Sequence, residues 1–447
     1  MERSQLKSEE VGINPQRRGR RVVITGMGVM TSLGGETSTL WDSVLHGRSG
    51  VRHIQQFDSE AFPVRIGSEI DMENVALDDI EHLKPWLSRA ATFGVYAMEK
   101  AWQDAGLTDD AIDHWRSGVC IGAWNSPTYD VSDRREVFDL NRDSALQYYE
   151  LCKEAPDVQA QRDFGAVSTL LSMRHALHGP STCVQTACAS ATQAIGEAYH
   201  AIREGDMDLM VSGGTDSMLS VICVSAFTLL NATSFYQGDP TKACRPFDRK
   251  RDGLVLGEGA AILILEELEH ARRRGARIHA ELLGYGSSCD GYRFTDAHPE
   301  GHGPTMCMTR ALADAGIQPA QVEYINAHGT ATPQNDPVES LAIKRVFGEQ
   351  AYRVPVSSTK SSLGHLMCAT GGVEAILSVL AMQNGVLPPT INYEYPDPDC
   401  DLDYIPNEPR QAQANVTLSN SFGFGGQNGS LVIGRWTEPA PAGVAAD

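Results

Sequence analysis

"CVQTACASATQAIG", residues 183–196, decides how this chain is read. Val184 and Thr186 end an extended run, and Ala187, Ala191 and Ala194 then recur at three- and four-residue steps. That spacing predicts a strand passing into a helix whose face lies close against something. Cys188 falls at the junction, in the first turn of the predicted helix. Unpaired N–H groups and the positive end of the helix dipole favour a thiolate there. On this stretch alone the commoner reading is a small buried hydrophobe.

The same unit occurs again further along. "VPVSSTKSSLGHLMCATGGVEAILSVLAMQNG" (354–385) echoes the strand, the turn and the small-residue helix. "RRVVITGMGVMTSLG" (20–34) is matched by "ARIHAELLGYGSS" (276–288), and "SGVCIGAW" by "VEYINAHGTAT". "LMVSGGTDS" (209–217) is matched by "VTLSNSFGFGGQNGSLVI" (416–433). The order of elements repeats while identity is low, which predicts a duplicated α/β unit. We place a tail at 1–20, one half at 21–268, the second at 269–436 and a tail at 437–447, both tails read as disordered. Strands alternating with helices predict mostly parallel sheets between helical layers in one compact body.

Composition narrows the function. Asp plus Glu number 57 against 37 Lys plus Arg, a formal net charge of −20. That balance argues against nucleic acid as the main ligand, and an acidic protein partner would need a local basic patch. The ten cysteines form no C-x-x-C pair and no zinc-like spacing with histidine, as expected of reduced thiols in a cytoplasmic protein. No apolar run reaches membrane-spanning length, and the first twenty residues lack the apolar core of a secretory signal. Glu2, Glu9 and Glu10 argue against a transit peptide.

The second half puts reactive side chains at the matching element ends. "NAHGTATPQND" (326–336) sets His328 at a strand end, with Thr330 and Thr332 in the turn that follows. "SSTKSSLGHLMCATGGVEA" (357–375) sets Lys360 after a strand and His365 at a helix start. "SNSFGFGGQNG" (419–429) supplies a glycine turn whose N–H groups can approach a ligand, or a hairpin needing positive φ. Together these fit one task. A cysteine takes an acyl group from a thioester. Two neutral histidines donate hydrogen bonds to a second thioester carbonyl as charge builds on it.

These residues resemble the β-ketoacyl-acyl carrier protein synthases, the elongating type II condensing enzymes. The likeness runs from "VVITGMGVMTSLG" to "SNSFGFGGQNGSLVI" and is most specific at "TACAS", "NAHGTATPQND", "STKSSLGHL" and "SFGFGG", with "CRPFDRKRDGLVLGEGAA" in support. It implies a thiolase-like fold of five layers, α-β-α-β-α, a homodimer, and acyl carrier protein as partner. It implies that Cys188 accepts the acyl chain and that the N–H groups of Cys188 and Phe424 form the oxyanion hole. By the same resemblance, His328 and His365 bind the malonyl thioester, and Lys360 with Glu374 supports them. Thr330 and Thr332 match positions on the pantetheine arm, and Phe424 matches a gate. No metal or organic cofactor is implied.

Two stretches depart from the family. Residues 125–165 are more charged than the segment that usually shapes the acyl pocket, which opens a polyketide or other secondary pathway. Asp290, Gly291, Tyr292 and Arg293 stand where the family carries Asp-Ala-Tyr-His, and we leave Thr295 out of the site. Cys120, Cys223, Cys289 and Cys368 are read as packing. "ARRRGAR" (271–277) and Arg245, Arg249, Lys250 and Arg251 of "CRPFDRKRDG" are carrier-docking candidates or solvated charge. A thiolase would need a second cysteine near the C-terminus, and none follows Cys400. The runs "GMGVMTSLG" and "GYGSSCDG" lack the third glycine of a dinucleotide fingerprint. A chain-length-factor-like partner typically loses the cysteine that this chain keeps.

Overall fold

The computed structural model describes residues 19–72, 88–124 and 165–437. The tails other than residues 19, 20 and 437, and the charged segment other than residue 165, lie outside those residues. Ten strands make one sheet. In chain order they are β1 (Val22–Thr31), β2 (Ser117–Ala123), β3 (Ser181–Val184), β4 (Leu209–Ser217) and β5 (Glu258–Glu267), then β6 (Ala280–Cys289), β7 (Tyr324–Asn326), β8 (Val356–Ser357), β9 (Val416–Gly423) and β10 (Gln427–Arg435). Across the first five the order is β3-β2-β4-β5-β1; across the second it is β8-β7-β9-β10-β6. Numbered within its own half, each set reads third, second, fourth, fifth, first. Directions repeat too. β2 runs parallel to β3 and β4, and β7 runs parallel to β8 and β9. The β4–β5, β5–β1, β9–β10 and β10–β6 pairs are antiparallel. The two sets meet at a short antiparallel seam, Val22 opposite Leu282.

The sheet is therefore mixed rather than mostly parallel. β9 and β10 are joined by the three residues Phe424–Gly426, and so tight a connection permits only antiparallel neighbours.

Six helices complete five layers: α1 (Arg89–Asp104), α2 (Ala166–Arg174), α3 (Ser190–Arg203), α4 (His302–Ala315), α5 (Asn335–Phe347) and α6 (Thr370–Asn384). α1 and α2 cover the first set of strands from outside; α4 covers the second, with α5 packed on it. α3 and α6 lie against each other and touch strands of both sets, which makes them the central layer. A helix enclosed on all sides has no polar face, and α6 is buried without a break from Thr370 to Met382. One apolar cluster passes through this layer, joining Ile195, Ala198 and Ile376 to Leu263 of β5 and Leu431 of β10.

The glycines of "GMG" are explained by packing rather than by a nucleotide. A Cβ at Gly26 would lie 2.2 Å from the Ala101 carbonyl oxygen, and one at Gly28 2.0 Å from that of Ala97, so α1 can approach β1 only over glycine.

The echo is sharpest at the entries to the central helices. Ala187-Cys188-Ala189 and Met367-Cys368-Ala369 are each one 3-10 turn, placed before α3 and α6. Ala187 takes φ +49° and Met367 φ +46°, an unfavourable conformation for side chains of this kind that both copies keep. Cys188 thus stands in a turn just ahead of α3, not in its first turn. β3 stops at Val184, before Thr186. The boundary drawn at 268/269 falls at the start of the short helix Leu268–Arg273 that links β5 to β6.

Candidate active site

Each reactive side chain is held by backbone that other residues fix. Ser190 Oγ accepts the Thr186 N–H at 2.9 Å and donates to the Ala187 carbonyl at 2.7 Å, closing the turn that carries Cys188. His328 lies two residues past β7. Its N–H and that of Gly329 both donate to the Glu339 carboxylate of α5, at 2.8 and 2.7 Å. His365 sits between the short helix Lys360–Leu363 and the 3-10 turn 367–369, five residues before α6 begins. Its N–H donates to Val255 O at 2.7 Å and its carbonyl accepts the Gly257 N–H at 2.9 Å. The sequence expectation of a helix start at His365 is thus displaced by a turn whose geometry repeats that of Cys188.

The three groups converge. One ligating atom from each of Cys188, His328 and His365 lies within 4.8 Å of the others. The imidazole rings stand edge to face, centroids 5.4 Å apart at 82°. The Met367 N–H donates to His365 Nδ1 at 3.2 Å, with the Thr370 hydroxyl 2.9 Å from the same atom. An accepting Nδ1 puts the ring proton on Nε2, and Nε2 is buried with no partner among the described residues. His328 Nδ1 is unpartnered too. Burial and then the nearby Lys360 charge hold both histidines well below the usual range, with His365 adding to the effect on His328. They are neutral at pH 7 and able to donate.

Cys188 does not behave as its position at a helix entrance suggests. Burial pushes its thiol up to about 11, against the pull of the Phe424 N–H, the Lys360 charge and its own backbone N–H. The resting group is a thiol, because loss of hydration outweighs the dipole. Those opposing N–H groups nevertheless place two donors at the sulfur.

Lys360 Nζ lies 2.5 Å from Glu374 Oε1, and both side chains are 1% exposed. Burial raises Glu374 to about 7 in spite of that partner. Phe424 starts the β9–β10 turn, where Gly425 and Gly426 take φ +81° and +73°. Its ring stacks on Phe227, centroids 5.8 Å apart, in an apolar cluster that includes Cys188, Val224 and Met367.

A cleft open to solvent at its mouth leads to these groups. Thr330 and Thr332 line it, their hydroxyls 2.9 Å apart. So do Asn231, Asp290, Thr295 and Asn335, which the sequence reading missed, Thr295 having been set aside. The loop that departs from the family borders the same mouth, and the Phe294 carbonyl accepts the Gly425 N–H at 2.6 Å.

The basic candidates separate by position. β5 begins beside the site, at the residue after Gly257, and its ten residues span about 30 Å before "ARRRGAR" begins. Arg274 is there tied to Glu266, and Arg272 to Glu269. Arg245 is buried, and Arg251 is occupied by the Thr332 carbonyl and Asp397. Arg249 and Lys250 are exposed. Cys120, Cys223 and Cys368 are buried as expected, whereas Cys289 is exposed at the end of β6.

Comparison with known proteins agrees with this geometry. Residues 19–271 match the family "Beta-ketoacyl synthase, N-terminal domain", and residues 279–394 match "Beta-ketoacyl synthase, C-terminal domain". A 3-oxoacyl-[acyl-carrier-protein] synthase 2 of Coxiella burnetii is 42% identical over 429 residues, 93% of this chain and 99% of that one. One from Synechocystis is 39% identical over 418 residues, covering 93% and 98%. Among solved structures, a beta-ketoacyl synthase from Burkholderia phymatum aligns at TM-score 0.82 and 36% identity, over 94% of this chain and all of that one. A type II polyketide ketosynthase in complex with its acyl-carrier protein aligns at 0.84 and 33%, with the same coverage. The chain belongs to the beta-ketoacyl synthase family and is a condensing enzyme of the acyltransferase class.

Proposed function

We propose that the enzyme elongates a fatty-acyl chain by decarboxylative condensation, with Cys188 as acyl acceptor. The observation that carries this is the meeting of a thiol, two neutral imidazoles and two backbone donors at the closed end of one cleft. In the first half-reaction Cys188 sulfur bonds to the acyl carbon of an acyl-carrier thioester and the carrier thiol leaves. The thiol proton passes by way of His328 to the departing carrier sulfur, so both imidazoles are again neutral for the second half-reaction. The oxygen of the tetrahedral intermediate is held by the N–H groups of Cys188 and Phe424.

In the second half-reaction His328 and His365 donate to the carbonyl of a malonyl-carrier thioester. The bond to its carboxylate breaks, CO2 leaves, and the electron pair remains as an enolate. Its carbon attacks the acyl-Cys188 carbonyl, the Cys188 thiolate departs and takes up one proton, and β-ketoacyl-carrier is released. Lys360, paired with Glu374, places positive charge beside the imidazoles where negative charge develops. Thr330 and Thr332 bind the pantetheine arm, and Phe424 gates the acyl pocket. The names of the Coxiella and Synechocystis relatives support elongation with acyl carrier protein as the carrier.

The reaction so written uses no metal and no organic cofactor. We place it in the cytoplasm, in a homodimer; β3, one of the two edges of the sheet among the described residues, leaves Ser181 and Thr182 exposed for pairing. The polyketide ketosynthase likeness favours a second reading, in which the acyl chain itself is a growing polyketide. Carbon dioxide release tests the division of labour. Cys188→Ala should still decarboxylate malonyl-carrier while forming no condensation product, and His365→Ala should do neither. Decarboxylation unaffected in His365→Ala would overturn the assignment.

A further inference from the structure

The triangle formed by Cys188, His328 and His365 has a second chemical capacity. A thiolate and two imidazole nitrogens are the donor set of a three-ligand zinc site with an open fourth position. All three ligating atoms lie within 4.8 Å of one another. A tetrahedral zinc with bonds of about 2.3 Å to sulfur and about 2.0 Å to nitrogen sets its ligand atoms about 3.3–3.6 Å apart. Closing the triangle therefore takes at most about 1.5 Å of change in any ligand spacing, within reach of small torsional changes.

The two imidazoles also have nitrogens that the protein leaves unpaired. His328 and His365 are each 1% exposed, and His328 Nδ1 and His365 Nε2 have no hydrogen-bond partner among the described residues. His328 gains a bond from a ligand without breaking one to the protein, and His365 gives up only the Met367 N–H bond to Nδ1. The Thr370 hydroxyl, 2.9 Å from His365 Nδ1, can accept as well as donate. Metal binding at Nε2 moves the His365 proton to Nδ1, where it donates to that hydroxyl in place of the Met367 N–H bond that Nδ1 accepts in the resting tautomer.

We propose that the unacylated enzyme binds one zinc-class cation across Cys188, His328 and His365 and is reversibly silenced by it. Binding forms one metal–sulfur and two metal–nitrogen bonds, releases the Cys188 thiol proton to solvent and leaves one position for water. The ion carries two positive charges and the thiolate one negative, while Lys360 is already matched by Glu374. An acyl group on Cys188 and a metal on Cys188 exclude each other, so acyl supply protects the enzyme. The inference rests on three side chains and not on which acyl chain is elongated.

Cobalt(II), which takes zinc sites and reports their ligands optically, is the probe. Anaerobic titration of the whole enzyme should give one tetrahedral cobalt per chain with a thiolate charge-transfer band, displaced by zinc. Prior alkylation with iodoacetamide should abolish the band only when peptide mass mapping finds Cys188 modified, and not when the exposed Cys289 alone is modified, a control that needs no variant to fold. Zinc at about ten times its Kd should slow alkylation of Cys188 roughly tenfold, reversed by a chelator. The proposal is overturned if no charge-transfer band appears, or if the band survives alkylation of Cys188 and so belongs to another of the ten cysteines. Elongation activity plays no part in this readout, so the proposed function stands or falls separately.

Discussion

Lys360→Met removes one charge from the centre of the protein while keeping nearly the same volume. Lys360 and Glu374 are a 2.5 Å pair in a core where both are 1% exposed. Deleting one member of such a pair costs about 3–5 kcal/mol when the other stays charged. Glu374 has an escape, because burial already raises it to about 7 and without Lys360 it takes up a proton near neutral pH. The cost then falls to about 3 kcal/mol or less. At about 2.1 cal/mol/K per residue, 447 residues unfold with about 0.9 kcal/mol/K, so calorimetry should find Tm lowered by about 3 °C. Decarboxylation should suffer more. A charge lost beside a developing enolate in a dry site costs about 10²- to 10³-fold in rate. The double variant Lys360→Met/Glu374→Leu replaces the pair by apolar groups, which is close to neutral for stability. Its Tm should recover while carbon dioxide release stays low. Recovery of both together would refute the electrostatic role and leave Lys360 as packing.

Gly426→Ala should lose acyl transfer: φ is +73° there and a Cβ would lie 2.7 Å from Asp290 Cβ, so the turn that aims the Phe424 N–H must shift. An acylation rate within twofold of wild type would contradict it. Thr332→Val removes the hydroxyl that meets Thr330 Oγ1 and accepts the Asn335 N–H at 3.2 Å. It should raise KM for carrier substrates about fivefold, roughly 1 kcal/mol, and leave kcat nearly unchanged. Stability should fall as pH rises from about 4 to 8. Asp216, Glu339 and Glu374 are each raised to about 7 by burial, so between their unfolded and folded values the native state binds more protons than the unfolded chain. His328 and His365, held well below the usual range by burial, work in the opposite sense below about pH 6.5 and offset part of the fall, and Asp208, held near 2 by hydrogen bonds from Arg116 and Arg20, opposes it only as pH falls below about 4. Asp216→Asn should flatten the fall of Tm with pH; an unchanged slope would sink this reading.

The strand-turn-helix around Cys188 and its echo at Cys368 were legible because small residues at helical spacing record a helix packed closely between the two sets of strands. The positions of Cys188, His328, Lys360, His365 and Phe424 were legible because each lies in or beside a connection between elements. What escaped was set by tertiary burial. The dipole argument for a Cys188 thiolate is local, whereas desolvation comes from Val224, Phe227 and Met367, which lie far from it in the chain. Glu339 and Thr370, which orient the two histidines, sit in ordinary helical context and carry no local signal. Thr295 and Asp290 join the cleft only because β6 ends beside the β9–β10 turn, where the Asp290 N–H donates to Gly426 O at 2.8 Å. The antiparallel pairs escaped because a strand's period says nothing of its neighbour's direction.

Acyl transfer to Cys188 is the claim on which the rest depends. Intact-mass spectrometry of the purified enzyme, offered a ladder of acyl-carrier thioesters and then malonyl-carrier, tests it directly. The account predicts one acyl adduct on the wild type, none on Cys188→Ala, and its discharge by malonyl-carrier to a β-keto product. A folded wild type that acquires no adduct from any chain length, or an adduct that persists in Cys188→Ala, would contradict it.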